Sequence, residues 1–198
     1  MPQKSGSPCA SSLRRKLDMR SHAVDTARRK AAEMLARAGI PITTSERERI
    51  EVTDFGLNDL ERIGLQLLTY VNTERVCAKE LVLFPNQTCP EHAHPPVNGV
   101  LGKEETFRCR WGAVYLFIPG ESRFQPDDRF PRGYEMFYSA RHGTVLKPGD
   151  QFTIWPGVPH WFQAGSDGAI VSEFSTQSTD EFDIFNDPHI QRTPMIEP

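Results

Sequence analysis

The chain has 198 residues, a formal net charge of −3 at pH 7 and a pI near 6.1. That length suits one domain with an appended segment, and the near-neutral balance gives no electrostatic reason for a nucleic-acid or anionic-membrane partner. No apolar run approaches the ~20 residues of a membrane helix, and Met1 to Arg20 lacks the apolar centre of a secretory signal. Arg14, Arg15 and Lys16 are followed by Asp18 without a strong apolar face, which argues against an organellar presequence. Cys9, Cys77, Cys89 and Cys109 form no CxxC pair, so free thiols in a reducing cytoplasm are expected.

Residues 1–12 are small and polar, a composition that predicts a disordered tail. A helical segment is expected within 13–45. Its periodic part runs from Leu13 to Ala38, with Gly39 placed for a left-handed cap and Pro41 just beyond. The stripe Ala27, Ala31, Met34, Leu35 and Ala38 is suited to packing on the rest of the domain. Leu60–Gly64 reads as a helical turn started by Asn58 or Asp59.

From Pro41 onward the grain becomes short β-like runs. Expected strands cover 50–53, 64–70, 76–84, 106–109, 114–118, 143–146, 151–154, 160–163 and 169–174. Many short strands punctuated by Gly and Pro predict an all-β sandwich or barrel over 46–198, with the C-terminal tail folding back on it. The stretch Pro119–Arg132 is too polar and proline-rich for a barrel strand. It reads equally as a lid or a plain surface loop.

The most informative feature is a divided set of metal-ligand residue types. His92 and His94, two apart, share a face if they lie on a strand. Glu105 follows eleven residues after His94, and His160 stands at the end of Pro156-Gly157-Val158-Pro159-His160. Three imidazoles and a carboxylate leave exchangeable positions on an octahedral dication, which suits catalysis better than structure. Glu104 competes with Glu105, and the six residues between Glu105 and Gly112 favour Glu105. Cys89 lies at odd parity from His92, which argues against it as a ligand.

Neighbouring residues bear on the reaction. Lys103 shares the parity of Glu105 and either points inward or sits at the rim in water. Glu173 interrupts the apolar run Ala169 to Phe174, where a carboxylate is paired, at an edge, or catalytic. A dication beside a carboxylate and a lysine suits proton transfer next to a carbonyl through a metal-stabilised enediolate, that is, aldose–ketose isomerisation. The same donor set would serve an Fe(II)-dependent dioxygenase. A non-catalytic sugar-binding protein is the third reading. The first 45 residues offer no second helix for a DNA-reading motif, which weighs against a regulator.

The spacing of these histidines and Glu105, with Gly112, Gly149 and Pro156-Gly157, resembles the two-part signature of the cupin superfamily. Pro95–Gly102 lengthens its first part, and Trp161 to Ala164 replace an asparagine often found after the last histidine. Glu74 to Pro85, Gln87 to His92, Gly102 to Cys109 and Val171 to Thr176 are similar to the D-lyxose isomerase family of cupins. So are Tyr115, Pro119-Gly120-Glu121 and Asp183-Ile184-Phe185. The long insertion occurs in short members of that family.

The resemblance covers roughly 57–192. It implies a single-domain cupin, a double-stranded β-helix or jelly-roll barrel with an N-terminal α-helical segment. It further implies a divalent metal, Mn2+ above others, held by His92, His94, Glu105 and His160, with Lys103 and Glu173 as acid/base residues. Asp183 and Arg192 are candidate sugar contacts. The implied reaction interconverts D-lyxose and D-xylulose, and D-mannose and D-fructose. A homodimer is expected, since cupins commonly pair by covering sheet edges.

Overall fold

The computed structural model describes residues 10–121 and 129–192, with side chains described from His22 onward. Nine strands form the body: β1 (Glu51–Thr53), β2 (Leu65–Asn72), β3 (Cys77–Leu83), β4 (Thr88–Ala93), β5 (Glu105–Ile118), β6 (His142–Leu146), β7 (Gln151–Ile154), β8 (His160–Ser175) and β9 (Ile184–Phe185). All pair antiparallel. One path runs β1-β2-β3-β8-β4-β9, and β5 joins β8 to β6 and β7. The all-β expectation is met, and most of the expected strands fall within a residue or two of the observed ones.

Two pairs of expected strands are fused. The runs 106–109 and 114–118 are one strand, β5, and 160–163 and 169–174 are one strand, β8. Glycine does not end either strand; it bends them. Gly112 has φ 70°, and a Cβ there would lie 2.1 Å from the Gly168 carbonyl oxygen across the pair. Only glycine permits that approach. Bulges on either side of Gly112 add to the bend. The β5–β8 ribbon therefore folds over on itself, and its two halves lie in opposite walls of the barrel. The first half of β8 pairs with β4 and the second with β3.

Between the walls sits one apolar core, including Leu65, Leu67, Leu81, Phe107, Leu116, Phe162 and Val171. Against the outer face of β2, β3 and β8 lies α1 (Ala10–Arg37). Its residues Ala27, Ala31, Met34 and Leu35 are fully or almost fully buried against Leu68, Val82 and Ile170. Burying a Leu or Met side chain stabilises by about 1.5–3 kcal/mol, and the small alanines let the helix approach closely, which accounts for the stripe read from the sequence. Gly39 does take φ 71° after the helix.

A short helix α2 (Thr44–Glu48) was not anticipated, although Thr43 and Glu46 spell a capping box that the structure forms. Asp59 starts a single hydrogen-bonded turn, with the Ile63 amide donating to its carbonyl at 2.8 Å. Toward the C-terminus, β9 pairs with β4. Of the disordered tail expected at 1–12, residues 1–9 lie outside the described residues, whereas 10–12 open α1; much of the expected excursion after Pro119 also lies outside them. No helix among the described residues is long and apolar enough to cross a membrane.

Candidate active site

Three chain segments meet at the mouth of the barrel. His92 lies on β4 and His94 just beyond its end; Glu105 opens β5 and His160 opens β8. All four are buried. The ligand atoms of His92, His94 and His160 lie within 4.8 Å of one another. Glu105 Oε1 stands 3.2 Å from His94 Nε2 and 2.9 Å from His160 Nε2.

The tautomers follow from the outer ring nitrogens. His92 donates Nδ1–H to the Pro90 carbonyl at 2.8 Å, His160 to the Val158 carbonyl at 2.9 Å, and His94 to Asp183 Oδ1 at 2.6 Å. Each Nε2 then faces the centre and presents a lone pair there when it carries no proton. His160 Nε2 is buried without a hydrogen bond of acceptable geometry despite its short approach to Glu105. Lone pairs aimed at a carboxylate repel unless a proton or a cation lies among them. An orphaned nitrogen and an N3O donor set therefore fit a divalent ion, and Asp183–His94 has the form of a carboxylate–histidine support for one.

Electrostatics agree. Burial drives His92 well below its ordinary pKa, aided by the other two histidines, so it is neutral. Burial also pushes His94 down, but Glu105 and the bond to Asp183 outweigh this and lift it to about 9 in the metal-free protein. Burial pushes Glu105 up; Lys103 and His94 reverse that and hold it well below the usual carboxylate range.

Strand parity places Lys103, Glu105 and Phe107 on the inner face and leaves Glu104 partly exposed. Lys103 is thus no rim lysine. Its Nζ lies 2.9 Å from Glu105 Oε2, 3.1 Å from Glu173 Oε1 and 3.1 Å from Asp180 Oδ1. Burial disfavours the ammonium, yet these carboxylates together raise it well above its ordinary value. Behind it, Lys79 binds Asp180 Oδ2 at 2.5 Å and Ser178 Oγ at 2.7 Å. Glu173 receives Lys103 and the Ser175 hydroxyl on the same oxygen, Oε1.

The cavity beside these groups has about 360 Å³ of atom-free space. Its polar wall holds His92, Lys103, Glu105, Glu173, Asp180 and Arg192; its apolar wall holds Phe55, Leu65, Leu67 and Phe185. Asp183 lines it too, with one oxygen engaged by His94. Arg192 pairs with Glu51 at 2.5 Å and reaches Asp180 at 3.6 Å. None of the tryptophans lines the cavity: Trp155 is exposed, Trp161 stacks on Phe117 in a separate cluster, and Trp111 packs near α1.

Sequence reasoning gave no site role to Lys79, Phe55 and Phe185. Lys79 was readable as a charge inside the β3 pattern, whereas Phe55 and Phe185 sit outside any periodic run. The parity argument for Cys89 was incomplete. A bulge between Cys89 and His92 resets the alternation, so Cys89 also lines the cavity, although it is not among the converging ligand atoms.

A bent antiparallel ribbon with three histidines and a glutamate at its mouth defines a cupin, and the Cupin family model matches residues 72–195. The chain is 62% identical over 168 residues to the D-lyxose/D-mannose isomerase of Thermosediminibacter oceani, covering 85% of this chain and 93% of that one. It is 59% identical over 171 residues to the D-lyxose ketol-isomerase of Cohnella laeviribosi, covering 86% and 94%. Among solved structures it is similar in fold to the L-ribose isomerase of Acinetobacter sp. DL28, with a TM-score of 0.72 and 16% identity over 85% of this chain and 92% of that one. The chain belongs to the D-lyxose ketol-isomerase family of cupins, a family of sugar isomerases.

Proposed function

We propose that this chain is a divalent-metal-dependent aldose–ketose isomerase that interconverts D-lyxose and D-xylulose, and D-mannose and D-fructose. The observation that carries the reading is the Lys103–Glu173 pair, buried and hydrogen-bonded directly beside Glu105. The names of the relatives support the choice of sugars.

His92, His94, Glu105 and His160 would hold the ion. When bound, a divalent metal supplies a Lewis acid for two adjacent sugar oxygens, and Mn2+ suits a mixed nitrogen–oxygen set that must exchange ligands readily. Glu173 is the carboxylate base. It takes the proton from C2 of the aldose and returns it to C1. Lys103, kept as an ammonium by three carboxylates, delivers a proton to O1 and regains one from O2. The negative charge that builds on these oxygens is met by a donor already in place, with no reorganisation required. Asp183 keeps the His94 imidazole in its ligand tautomer, and Arg192 offers donors to the sugar's far hydroxyls.

Association as a homodimer is supported by open sheet edges at β1 and β9. A reducing, cytoplasmic setting is supported by Cys77, Cys89 and Cys109, all buried free thiols.

The test is incubation of metal-stripped protein with D-lyxose in heavy water, with and without Mn2+, followed by proton NMR. Mn2+-dependent D-xylulose carrying deuterium at C1 is the expected result. Absence of product from both lyxose and mannose with any divalent metal would overturn the reading.

A further inference from the structure

The apolar wall facing Lys103 and Glu173 depends on a backbone conformation that its residue disfavours. Phe55 has φ 53°, in the left-handed region, followed by Gly56 at 76° and Asn58 at 54°. A bulky side chain in that region is a true outlier, because Cβ crowds the following carbonyl. Such conformations persist only where the surroundings over-determine them.

Here they do. The Phe55 amide donates to Thr53 Oγ1 at 3.0 Å, and the Gly56 amide to Asp54 Oδ1 at 3.0 Å. From the C-terminal tail, the Gln191 amide donates to the Phe55 carbonyl at 2.9 Å, and the next residue, Arg192, grips Glu51. Glycine would adopt this φ without strain, so the feature the conformation serves is the side chain. The Phe55 ring is 2% exposed and lines the cavity.

Its position along the cavity follows from the rings. Phe185 stacks on His92 with centroids 5.5 Å apart at 29°, and Phe55 lies 5.7 Å beyond Phe185. This apolar ladder leads from the histidines to Phe55. On the polar side Glu105, Lys103, Asp180 and Arg192 form a second chain of contacts, and Gln191, bonded to the Phe55 carbonyl, joins its far end to Phe55. Phe55 and Arg192 thus mark one end of the slot, and the histidines mark the other. An open-chain sugar with C1 and C2 beside the histidines would run between hydroxyl-binding and C–H-binding walls, and its last carbons would meet Phe55.

We propose that Phe55 sets the length of sugar this site accepts: its ring closes the slot behind the fifth carbon and selects pentoses over hexoses. The inference rests on the isomerase reading above.

The experiment compares kcat/KM for D-lyxose and D-mannose in the Mn2+-loaded protein and in Phe55→Leu, Phe55→Ala and Phe55→Trp, each checked by thermal melting. Shortening the side chain is expected to raise the mannose-to-lyxose ratio about tenfold, the scale of one methylene-sized contact in an apolar pocket. Phe55→Trp is expected to lower it by a similar factor, so the inference is tested even if the alanine variant fails to fold. Phe185→Leu, beside the reacting end, is expected to depress both sugars alike. A ratio unchanged within about twofold in the folded Phe55 variants overturns the inference. Wild-type protein that turns over neither sugar overturns the isomerase reading instead.

Discussion

His92 and His160 are register partners across β4 and β8, with ring centroids 4.3 Å apart, and each anchors its outer nitrogen to the carbonyl two residues before it. The same local device therefore sets both tautomers. Neither ring depends on a distant side chain to present its lone pair. His94 differs, because its orientation rests on Asp183 from the returning tail.

This difference predicts separable effects on metal binding. Asp183→Asn is expected to weaken Mn2+ affinity by about 10–100-fold, the usual cost of losing a supporting partner. His160→Ala removes a donor outright and is expected to cost more. Free Mn2+ followed by electron paramagnetic resonance during titration gives both values. Equal affinity in Asp183→Asn and wild type would show that the tail does not support the ion.

Glu173→Gln and Lys103→Met are each expected to lower kcat by about 10²–10⁴-fold, the range of a lost proton-transfer group. Glu173→Gln should leave Mn2+ affinity within a few fold of wild type, since Glu173 lies beyond the converging donors. Steady-state kinetics with Mn2+ in excess test this, and a Glu173→Gln enzyme retaining more than a tenth of kcat would remove Glu173 from the proposed role.

Proton linkage has a definite sign. His94 is held at about 9 in the metal-free protein, above its ordinary value. Its contribution to stability is full below about pH 6.5 and is lost as pH rises through 9. Metal-free protein should therefore melt at progressively lower temperature between pH 7 and 9.5. Metal binding competes with that proton, so Mn2+ affinity should rise with pH over the same window, and calorimetry at pH 7 in buffers of different ionisation enthalpy should report proton release. Affinity independent of pH between 7 and 9 would contradict it.

The insertion after His94 is seated by Gly102, where a Cβ would fall 2.0 Å from the His94 carbonyl oxygen. Gly102→Ala must displace one of the two. Loss of at least about 1–3 kcal/mol of stability is expected in urea unfolding, together with weaker Mn2+ binding. Unchanged values for both would mean the loop yields without moving His94.

Glu91 tests a purely structural carboxylate. It is buried and accepts from the Ser139 amide at 2.7 Å, the Ala140 amide at 2.8 Å, the Ser139 hydroxyl at 2.5 Å and the Asn186 side chain. Glu91→Ala strands these donors and is expected to destabilise by about 3 kcal/mol or more, read from the denaturation midpoint, while a refolded variant keeps its metal.

Much of this site was legible because strand alternation is simple. His92, His94 and Glu105 needed only a period of two and the right spacing, whereas for Lys103 the same parity left an inward and a rim position open. Alternation failed where the backbone broke its own rhythm: at the bulge before His92, which turned Cys89 inward, and at Gly112, which was read as a break and is a bend. Phe185 and Phe55 were beyond reach for another reason. They sit on turns or a two-residue strand and reach the cavity through tertiary contacts such as Arg192–Glu51, which leave no periodic trace. Glu173 could be read as anomalous in an apolar strand, but only its contact with Lys103 shows which partner it has.

The fold of the β5–β8 ribbon gives one strand two jobs. β8 carries His160 at its first position and Glu173 near its last, and the doubling-over opposite Gly112 brings both ends to the same mouth. The strand works as a calliper whose jaws are the proposed metal donor and the proposed proton acceptor, and the hinge of that calliper is a glycine pair. The distance between the proposed metal site and the proposed base is thereby written into backbone curvature. Variation at Gly112 or Gly168 can retune the chemistry without altering any group that performs it.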